Sequence, residues 1–288
     1  MILMNNDFGA PQKAGRFGVE VELEATNDIP WPEVPYWRMD MDGSLRGHSI
    51  EYVMTTPADY NQALYCVKQL YEYLSDRKLK LRDTIRTGVH VHLNVQDYSY
   101  IRFFNLITLY YMFEVFMQSY CNNNRQGNLF CLRAVDAEQI IPCVLRSIAK
   151  KRSPNWGHMV QDTTRYAALN YTSLPKYCSV EFRALQSPQN SRPIKDWISL
   201  IEKLHIASEN FDRPADIVYS VSEGNWGEFC RRIFGDKFYY LLCEKCNKYG
   251  YDMYEIGRQG IELAQLIALH PDVDWNAFAN IKKKSKGS

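Results

Sequence analysis

Alternation of apolar and polar residues with a period of two predicts four β-strands in this chain. They cover residues 16–24, 49–55, 88–95 and 178–186. Helical periodicity marks six further segments: residues 58–76, 99–120, 136–150, 194–210, 226–249 and 253–269. No strand is followed by the glycine-rich phosphate loop of a Rossmann or P-loop fold. The pattern therefore predicts an α+β fold, a mainly antiparallel sheet with helices packed on one face.

The most apolar segment, residues 101–121, raises the question of a membrane-spanning helix. Four polar residues interrupt it: Asn105, Thr108, Glu114 and Gln118. A spanning helix needs about 20 largely unbroken apolar residues. We therefore interpret the segment as a core helix laid on the sheet and expect no membrane partner. Asp42-Gly43 is typical of a hairpin turn, which supports antiparallel pairing.

Composition and charge narrow the classes of partner. The 288 residues include 34 basic and 33 acidic ones, a net charge of +1, which argues against nucleic acid as the primary ligand. Eight cysteines are scattered among apolar residues, a distribution typical of reduced thiols in a cytosolic protein. Cys243 and Cys246 form a C-x-x-C, but no second pair stands at zinc-finger spacing. Because the N-terminal residues show no signal-peptide pattern, we expect a cytoplasmic, soluble protein.

The polar faces of the predicted strands carry an unusual set of side chains. If the apolar faces pack on the helices, the open face presents seven ionisable residues: Glu20, Glu22, Glu51, His90, His92, Glu181 and Arg183. Same-face neighbours on a strand are about 6.5 Å apart, so like charges repel unless water or a cation intervenes. Each motif alone has a simpler explanation. The acids of the first strand fit a solvated edge strand, H-x-H fits a structural or surface pair, and E-x-R fits a cross-strand ion pair.

Together, however, four carboxylates and two imidazoles are typical of a site for Mg²⁺ or Mn²⁺. Two ions roughly 4 Å apart could be bridged by Glu20 and Glu22, which project from one strand. Arg183 could bind a phosphate bidentately while Glu181 holds a metal. Glu24, the third acid in "GVEVELE", exceeds what two ions need, and we expect it to be exposed.

Four motifs of the chain resemble one known family. "FGVEVELE", "DGSL…SIEYVMTTP", "TGVHVHLN" and "RYAALNYTSLPKYCSVEFRALQSP" occur in the order and with the character of the amidoligase family. That family belongs to the carboxylate–amine ligase superfamily of glutamine synthetase and glutamate–cysteine ligase. The resemblance covers roughly residues 14–200 and implies a curved antiparallel sheet with a glutamine synthetase-like catalytic core. It divides the chain into a catalytic core at 14–190 and a helical region at 191–288 packed on it.

The resemblance also implies roles for individual residues. Five look like ligands of two or more metal ions: Glu20, Glu22, Glu51, His90 and Glu181. His92 resembles the second histidine of G-x-H-x-H, which faces the nucleotide, and Arg183 resembles a phosphate contact on the nucleotide side. Arg165 resembles the arginine that meets the transferred phosphoryl group or the substrate carboxylate, and Asn170 would support that loop beside the nucleotide. Arg165 and Arg183 are the candidate catalytic residues.

The function implied is an ATP-dependent carbon–nitrogen ligase that uses Mg²⁺ or Mn²⁺ and proceeds through an acyl phosphate. Its partners would be a small-molecule or peptide carboxylate and an amine. The sequence identifies neither substrate, and it leaves a homo-oligomer open. Glu24 and Asp42 are the candidates for a general base. The alternatives are a metal-dependent hydrolase of an amide or phosphate ester, and an inactive binding protein on the same fold.

Overall fold

A computed structural model describes residues 4–9, 15–122, 125, 127–222 and 225–279. Its strands are β1 Phe17–Ala25, β2 Trp37–Asp40, β3 His48–Met54, β4 Gly88–Asn94, β5 Leu169–Asn170 and β6 Ser179–Gln186. Its first five helices are α1 Asn5–Phe8, α2 Tyr60–Asp76, α3 Tyr100–Gln118, α4 Ile140–Ile148 and α5 Leu174–Tyr177. The others are α6 Arg192–Ala207, α7 Pro214–Ser222, α8 Trp226–Lys248, α9 Met253–Ala268 and α10 Trp275–Ala279.

The six strands form one sheet in the order β2-β3-β1-β4-β6-β5, and every neighbouring pair is antiparallel. The α+β class, the antiparallel sheet and the four predicted strands are confirmed. β2 and β5 were missed, because four and two residues are too short to display an alternating pattern. The hairpin at Asp42-Gly43 is present, but residues 41–47 connect β2 to β3 in place of a two-residue turn.

One face of the sheet supports the hydrophobic core. Its alternating residues, such as Val19, Val21, Val89 and Val91, are fully buried. On this side helix α2 contacts β1, and helix α6 contacts β4. Helix α3 packs on the last long strand through the rings of Tyr110 and Phe182, whose centroids are 5.4 Å apart. The opposite face is left for polar side chains.

Helix α3 is the central helix of the core. Ser99 caps it by accepting a hydrogen bond from the Arg102 backbone N–H, and nearly all of its residues are buried. It contacts α6, α7, α9 and α10. The prediction of a core helix is confirmed, and no helix within the described ranges is long and apolar enough to cross a membrane.

The contact between α3 and α9 is backbone to backbone. A Cβ atom at Gly260 would lie 1.9 Å from the carbonyl oxygen of Met112, so only glycine permits this approach. The cysteines provide no covalent link here or elsewhere: all eight are free thiols, and all except the half-buried Cys243 are buried. This distribution agrees with the expectation of reduced, buried thiols.

Candidate active site

The register of the sheet brings the predicted acidic and histidine side chains onto neighbouring positions. Glu20 lies opposite His90 between β1 and β4, and Glu22 lies opposite Glu51 between β1 and β3. His92 lies opposite Glu181 between β4 and β6. Because directly opposed side chains on one face are about 5 Å apart, these three pairs form one continuous polar patch across four strands.

His90 is the centre of a first candidate metal cluster. Its Nδ1 lies 3.2 Å from Oε2 of Glu20 and 3.3 Å from Oε1 of Glu181. Adjacent ligands of an octahedral ion with bonds of about 2.1 Å are about 3 Å apart. The spacing of these three side chains therefore suits a Mg²⁺- or Mn²⁺-sized ion.

A second candidate cluster shares the same histidine. Nε2 of His90 lies 3.9 Å from Oε1 of Glu22, and Glu51 completes this group. In each cluster the ligand atoms all lie within 4.8 Å of one another. The two ring nitrogens thus face different carboxylates, which places two candidate ion positions side by side.

Neighbouring groups orient two of the carboxylates. The backbone N–H of Gly88 donates to Oε2 of Glu22 at 2.6 Å, and Nδ2 of Asn170 donates to Oε2 of Glu181 at 2.6 Å. In both residues the other oxygen, Oε1, faces the histidine. Outer contacts of this kind fix the orientation of metal ligands, so the donor set fits hard divalent cations in both oxygen content and geometry.

Burial and mutual charge shift the pKa values of these groups in different directions. Burial, together with the charges of Glu20 and Glu22, raises the pKa of Glu51 to about 7. Burial also raises the pKa of Glu22, against the opposing effects of His90 and the Gly88 N–H. Burial acts in the same sense on Glu20, but hydrogen bonds from His90 and His92 outweigh it and hold its pKa well below the ordinary value.

The histidines and Glu181 show the reciprocal effect. Burial alone would lower the pKa of His90 and His92, but the adjacent carboxylates outweigh it and raise both. Burial would raise the pKa of Glu181, but the charges of His90, His92 and Arg183 lower it. So many ionisable groups at such distances form a strongly coupled site, of the kind found at functional positions.

A β-bulge in the ladder between β4 and β6 positions Arg183. Val89 pairs with Leu185 and Val91 with Phe182, so Arg183 and Ala184 together stand opposite one residue of β4. Nη1 of Arg183 donates to Oε1 of Glu181 at 3.0 Å, and its Nε donates to the Phe130 carbonyl at 3.3 Å. Bulges are common beside active sites.

Arg125, just after α3, satisfies the carbonyl groups that the bulge leaves unpaired. Its Nε donates to the Ala184 carbonyl at 3.0 Å and its Nη2 to the Arg183 carbonyl at 2.9 Å. It is only 2% exposed and forms no ion pair with any described carboxylate. Among the described residues this buried guanidinium donates to carbonyl groups, and it is a strong local source of positive potential.

All nine sequence-predicted site residues line one cavity of about 610 Å³ on the open face: Glu20, Glu22, Glu51, His90, His92, Arg165, Asn170, Glu181 and Arg183. Further residues that the sequence did not single out also line it: Ser44, Arg86, Arg125, Phe130, Asp162, Tyr166, Thr172, Ser173, Lys176 and Tyr177. The cavity therefore combines an acidic floor with a wall that is largely basic and aromatic.

One expectation for the acidic strand was wrong. Glu24 is buried, with 3% of its surface exposed, and its Oε1 accepts a hydrogen bond from the backbone N–H of Arg46 at 3.0 Å. The segment joining β2 to β3 covers this end of β1, which alternation alone cannot reveal. Glu24 does not line the cavity, whereas Asp42, the other candidate base, does.

A second, smaller cavity of about 220 Å³ adjoins the first. The two share Glu20, His92 and Tyr177 as lining residues. The second is more apolar, with walls from Val53, Met54 and Pro57. Together the cavities offer a charged compartment joined to a compartment suited to a flat or apolar group.

Comparison with known proteins identifies the family. No curated protein matches the chain. The model of the family described as "Putative amidoligase enzyme" matches residues 48–205, more than half of the chain. The matched range contains strands β3, β4, β5 and β6. They supply six of the predicted site residues: Glu51, His90, His92, Asn170, Glu181 and Arg183. Strand β1, with Glu20 and Glu22, precedes the match but lies between two strands inside it. The chain belongs to the amidoligase family, whose general activity is the formation of amide bonds.

Proposed function

We propose that the protein is an ATP-dependent carboxylate–amine ligase with a glutamine synthetase-like core that uses Mg²⁺ or Mn²⁺. The observation that carries the proposal is the pair of carboxylate–histidine clusters around His90, next to Arg183 in one cavity. A metal cluster alone would serve hydrolysis equally well. Arginines on the wall beside metal-type carboxylates favour a phosphoryl group as the ligand.

Two groups of residues would each hold a metal ion, and the smaller cavity would hold the nucleotide base. Glu20, His90 and Glu181 would hold one ion, and Glu22 with Glu51 would hold a second. Bound divalent ions would supply charge neutralisation for the triphosphate. The smaller cavity beside His92 and Tyr177 would take the nucleotide base, because its apolar walls suit a purine ring.

The reaction would proceed in two balanced steps. A substrate carboxylate attacks the γ-phosphorus of ATP, which breaks the bond to the β-phosphate oxygen and gives an acyl phosphate and ADP. An amine then attacks the acyl carbon, releasing inorganic phosphate and one proton. Arg183 and Arg165 would stabilise charge on the transferred group. Asp42, the candidate base that lines the cavity, would accept the proton.

The test is ADP release with ATP and either Mg²⁺ or Mn²⁺, in the presence of pooled candidate amines and carboxylates. Glu20→Gln and Glu181→Gln keep the shape of the ligand side chains and remove their charge. We expect each to lower turnover by at least about a hundredfold, in line with losses on removing metal-site contacts. Glu244→Gln, on the exposed surface of α8, is the matched control and should retain full turnover.

Two results would contradict the proposal. The first is absence of nucleotide binding by a folded, metal-loaded protein in isothermal titration calorimetry. The second is cleavage of amide or phosphate-ester substrates without nucleotide, which would identify a metal-dependent hydrolase. Mass spectrometry of the products distinguishes these cases, because only ligation joins two substrates for each ADP released.

A further inference from the structure

Two arginines on the wall of the main cavity have no role in the proposed reaction. Arg86 precedes β4, and neither it nor Arg125 forms an ion pair with a carboxylate anywhere in the described ranges. Arg165 and Arg183 would act on the transferred phosphoryl group, so the proposed reaction gives Arg86 and Arg125 no role. Cations kept unpaired beside an acidic cluster point to an anionic ligand that pairs with them when bound.

These two cations lie at the end of the cavity opposite the smaller, apolar one. Arg86 lies just before the first residue of β4, and His92, which lines the smaller cavity, is near the end of that strand. At about 3.3 Å per residue, the distance from Gly88 to His92 along the strand is roughly 13 Å. A nucleotide whose base occupies the smaller cavity would therefore leave the Arg86 end to the acyl substrate.

Three exposed apolar side chains belong to segments that line the cavity. Ile85 is 59% exposed, Leu129 72% and Met41 88%, and each is adjacent in sequence to a residue that lines the cavity. Hydrogen bonds join two of the segments: the Ile85 carbonyl accepts from Asn128 at 3.3 Å and from Arg125 at 3.5 Å. We call Met41, Ile85 and Leu129 the apolar rim. Exposed apolar side chains beside residues that line a cavity are a feature of binding surfaces.

The volume of the cavity indicates where the rest of a second substrate must lie. Pockets of about 300–1,000 Å³ hold one drug-sized ligand, and the main cavity has about 610 Å³. The triphosphate with its ions would share this space with the reacting group of the acyl substrate. Any acyl substrate larger than its reacting group would therefore extend past Arg86 and over the apolar rim.

We propose that the acyl substrate is an acidic segment of a polypeptide, an inference that rests on the proposed ligase function. Its reacting carboxylate enters beside Glu22 and Arg183. A neighbouring carboxylate pairs with Arg86, in the positive potential of Arg125. Apolar residues of the same segment contact the apolar rim. A free amino acid would leave the rim bare, and a nucleic acid would offer phosphates but few aliphatic groups for it.

The proposal is tested by fluorescence anisotropy with a labelled decapeptide of alternating Glu and Leu, in the presence of Mg²⁺ and a non-hydrolysable ATP analogue. Comparison probes are the peptide with Gln in place of Glu, the peptide with Ser in place of Leu, and a single-stranded oligodeoxythymidylate. We expect the Glu–Leu peptide to bind at least about tenfold more tightly than any of these, because each comparison probe lacks either the charged or the apolar contacts.

Substitutions on the protein provide the second arm. Arg86→Gln and the double variant Ile85→Ser/Leu129→Ser should each weaken peptide binding about tenfold. Lys151→Gln and Leu266→Ser are matched controls on exposed positions away from the cavity and should bind the peptide normally. Thermal melting checks that every variant is folded.

The outcomes separate this inference from the function on which it rests. Loss of binding of the ATP analogue to the unmodified, folded protein would overturn the ligase proposal, and this inference with it. Normal binding of the analogue, with equal affinity for the Glu and Gln peptides or with no effect of Arg86→Gln, would overturn the polypeptide inference alone. Tighter binding of the oligonucleotide than of any peptide would overturn it as well, in favour of a nucleic-acid substrate.

Discussion

Glu114 is a buried carboxyl group in the C-terminal part of α3, away from the proposed ligands. It is 1% exposed, and its Oε2 accepts a hydrogen bond from the backbone N–H of Ala134 at 2.8 Å. Burial raises its pKa to about 8, and the Ala134 N–H and the charge of Arg133 only partly oppose this. The group is therefore protonated in the native protein at neutral pH and ionised in the unfolded chain.

This difference makes stability depend on pH with a definite sign. Because the native pKa of Glu114 lies above its unfolded value, its contribution is fully present below the ordinary pKa of 4.5 and is lost as pH rises towards 8. In that window the native state holds one more proton, so the free energy of unfolding falls by about 1.4 kcal/mol for each pH unit. Between pH 5 and 8 the loss is on the order of 4 kcal/mol.

Glu114→Gln is the perturbation that isolates this effect, because glutamine is neutral, of similar size and able to accept the same hydrogen bond. Urea unfolding at several pH values between 5 and 8 gives the free energy of unfolding of both proteins. All other titrating groups are common to the pair, so we expect the variant to gain stability relative to the parent as pH rises. Glu244→Gln is the exposed control. A difference between parent and Glu114→Gln that stays constant across this range would refute the reasoning.

Three further substitutions test close contacts. Gly88→Ala would place a Cβ atom 3.3 Å from two candidate ligand side chains, Glu22 and His90, and 3.0 Å from the guanidinium of Arg125. We expect Mn²⁺ affinity to fall about tenfold, and an unchanged affinity in calorimetry would contradict the tight geometry. Asn170→Ala removes the bond that orients Glu181, so Mn²⁺ affinity should fall about 10- to 100-fold, and parental affinity would show that this orientation is unimportant. Gly260→Ala forces a Cβ atom against the Met112 carbonyl; we expect a loss of about 3 kcal/mol or more in urea unfolding, whereas parental stability would mean that α9 shifts freely.

The sequence predicted which side chains share the open face of the sheet, because period-two alternation determines which face of a strand each side chain occupies. Glu20 and His90 were placed on the open face by that rule alone, and the register then put them opposite each other. Alternation does not determine which strands are neighbours, so the structure was needed to show that His90 serves two clusters. Arg125 carried no recognisable signal, because its role depends on a bulge in a strand about sixty residues away in sequence.

The position of β1 affects how the protein can be divided. It is the hydrogen-bonded partner of both β3 and β4, yet it comes from outside the matched range 48–205. A gene fragment cut to that range would encode β3 and, across an empty slot, the three strands β4-β6-β5, without β2 and without two of the four glutamates in the candidate clusters. The same geometry offers a split protein. A synthetic peptide of residues 15–27 could enter the slot as a donor strand, and recovery of metal binding would then report its insertion.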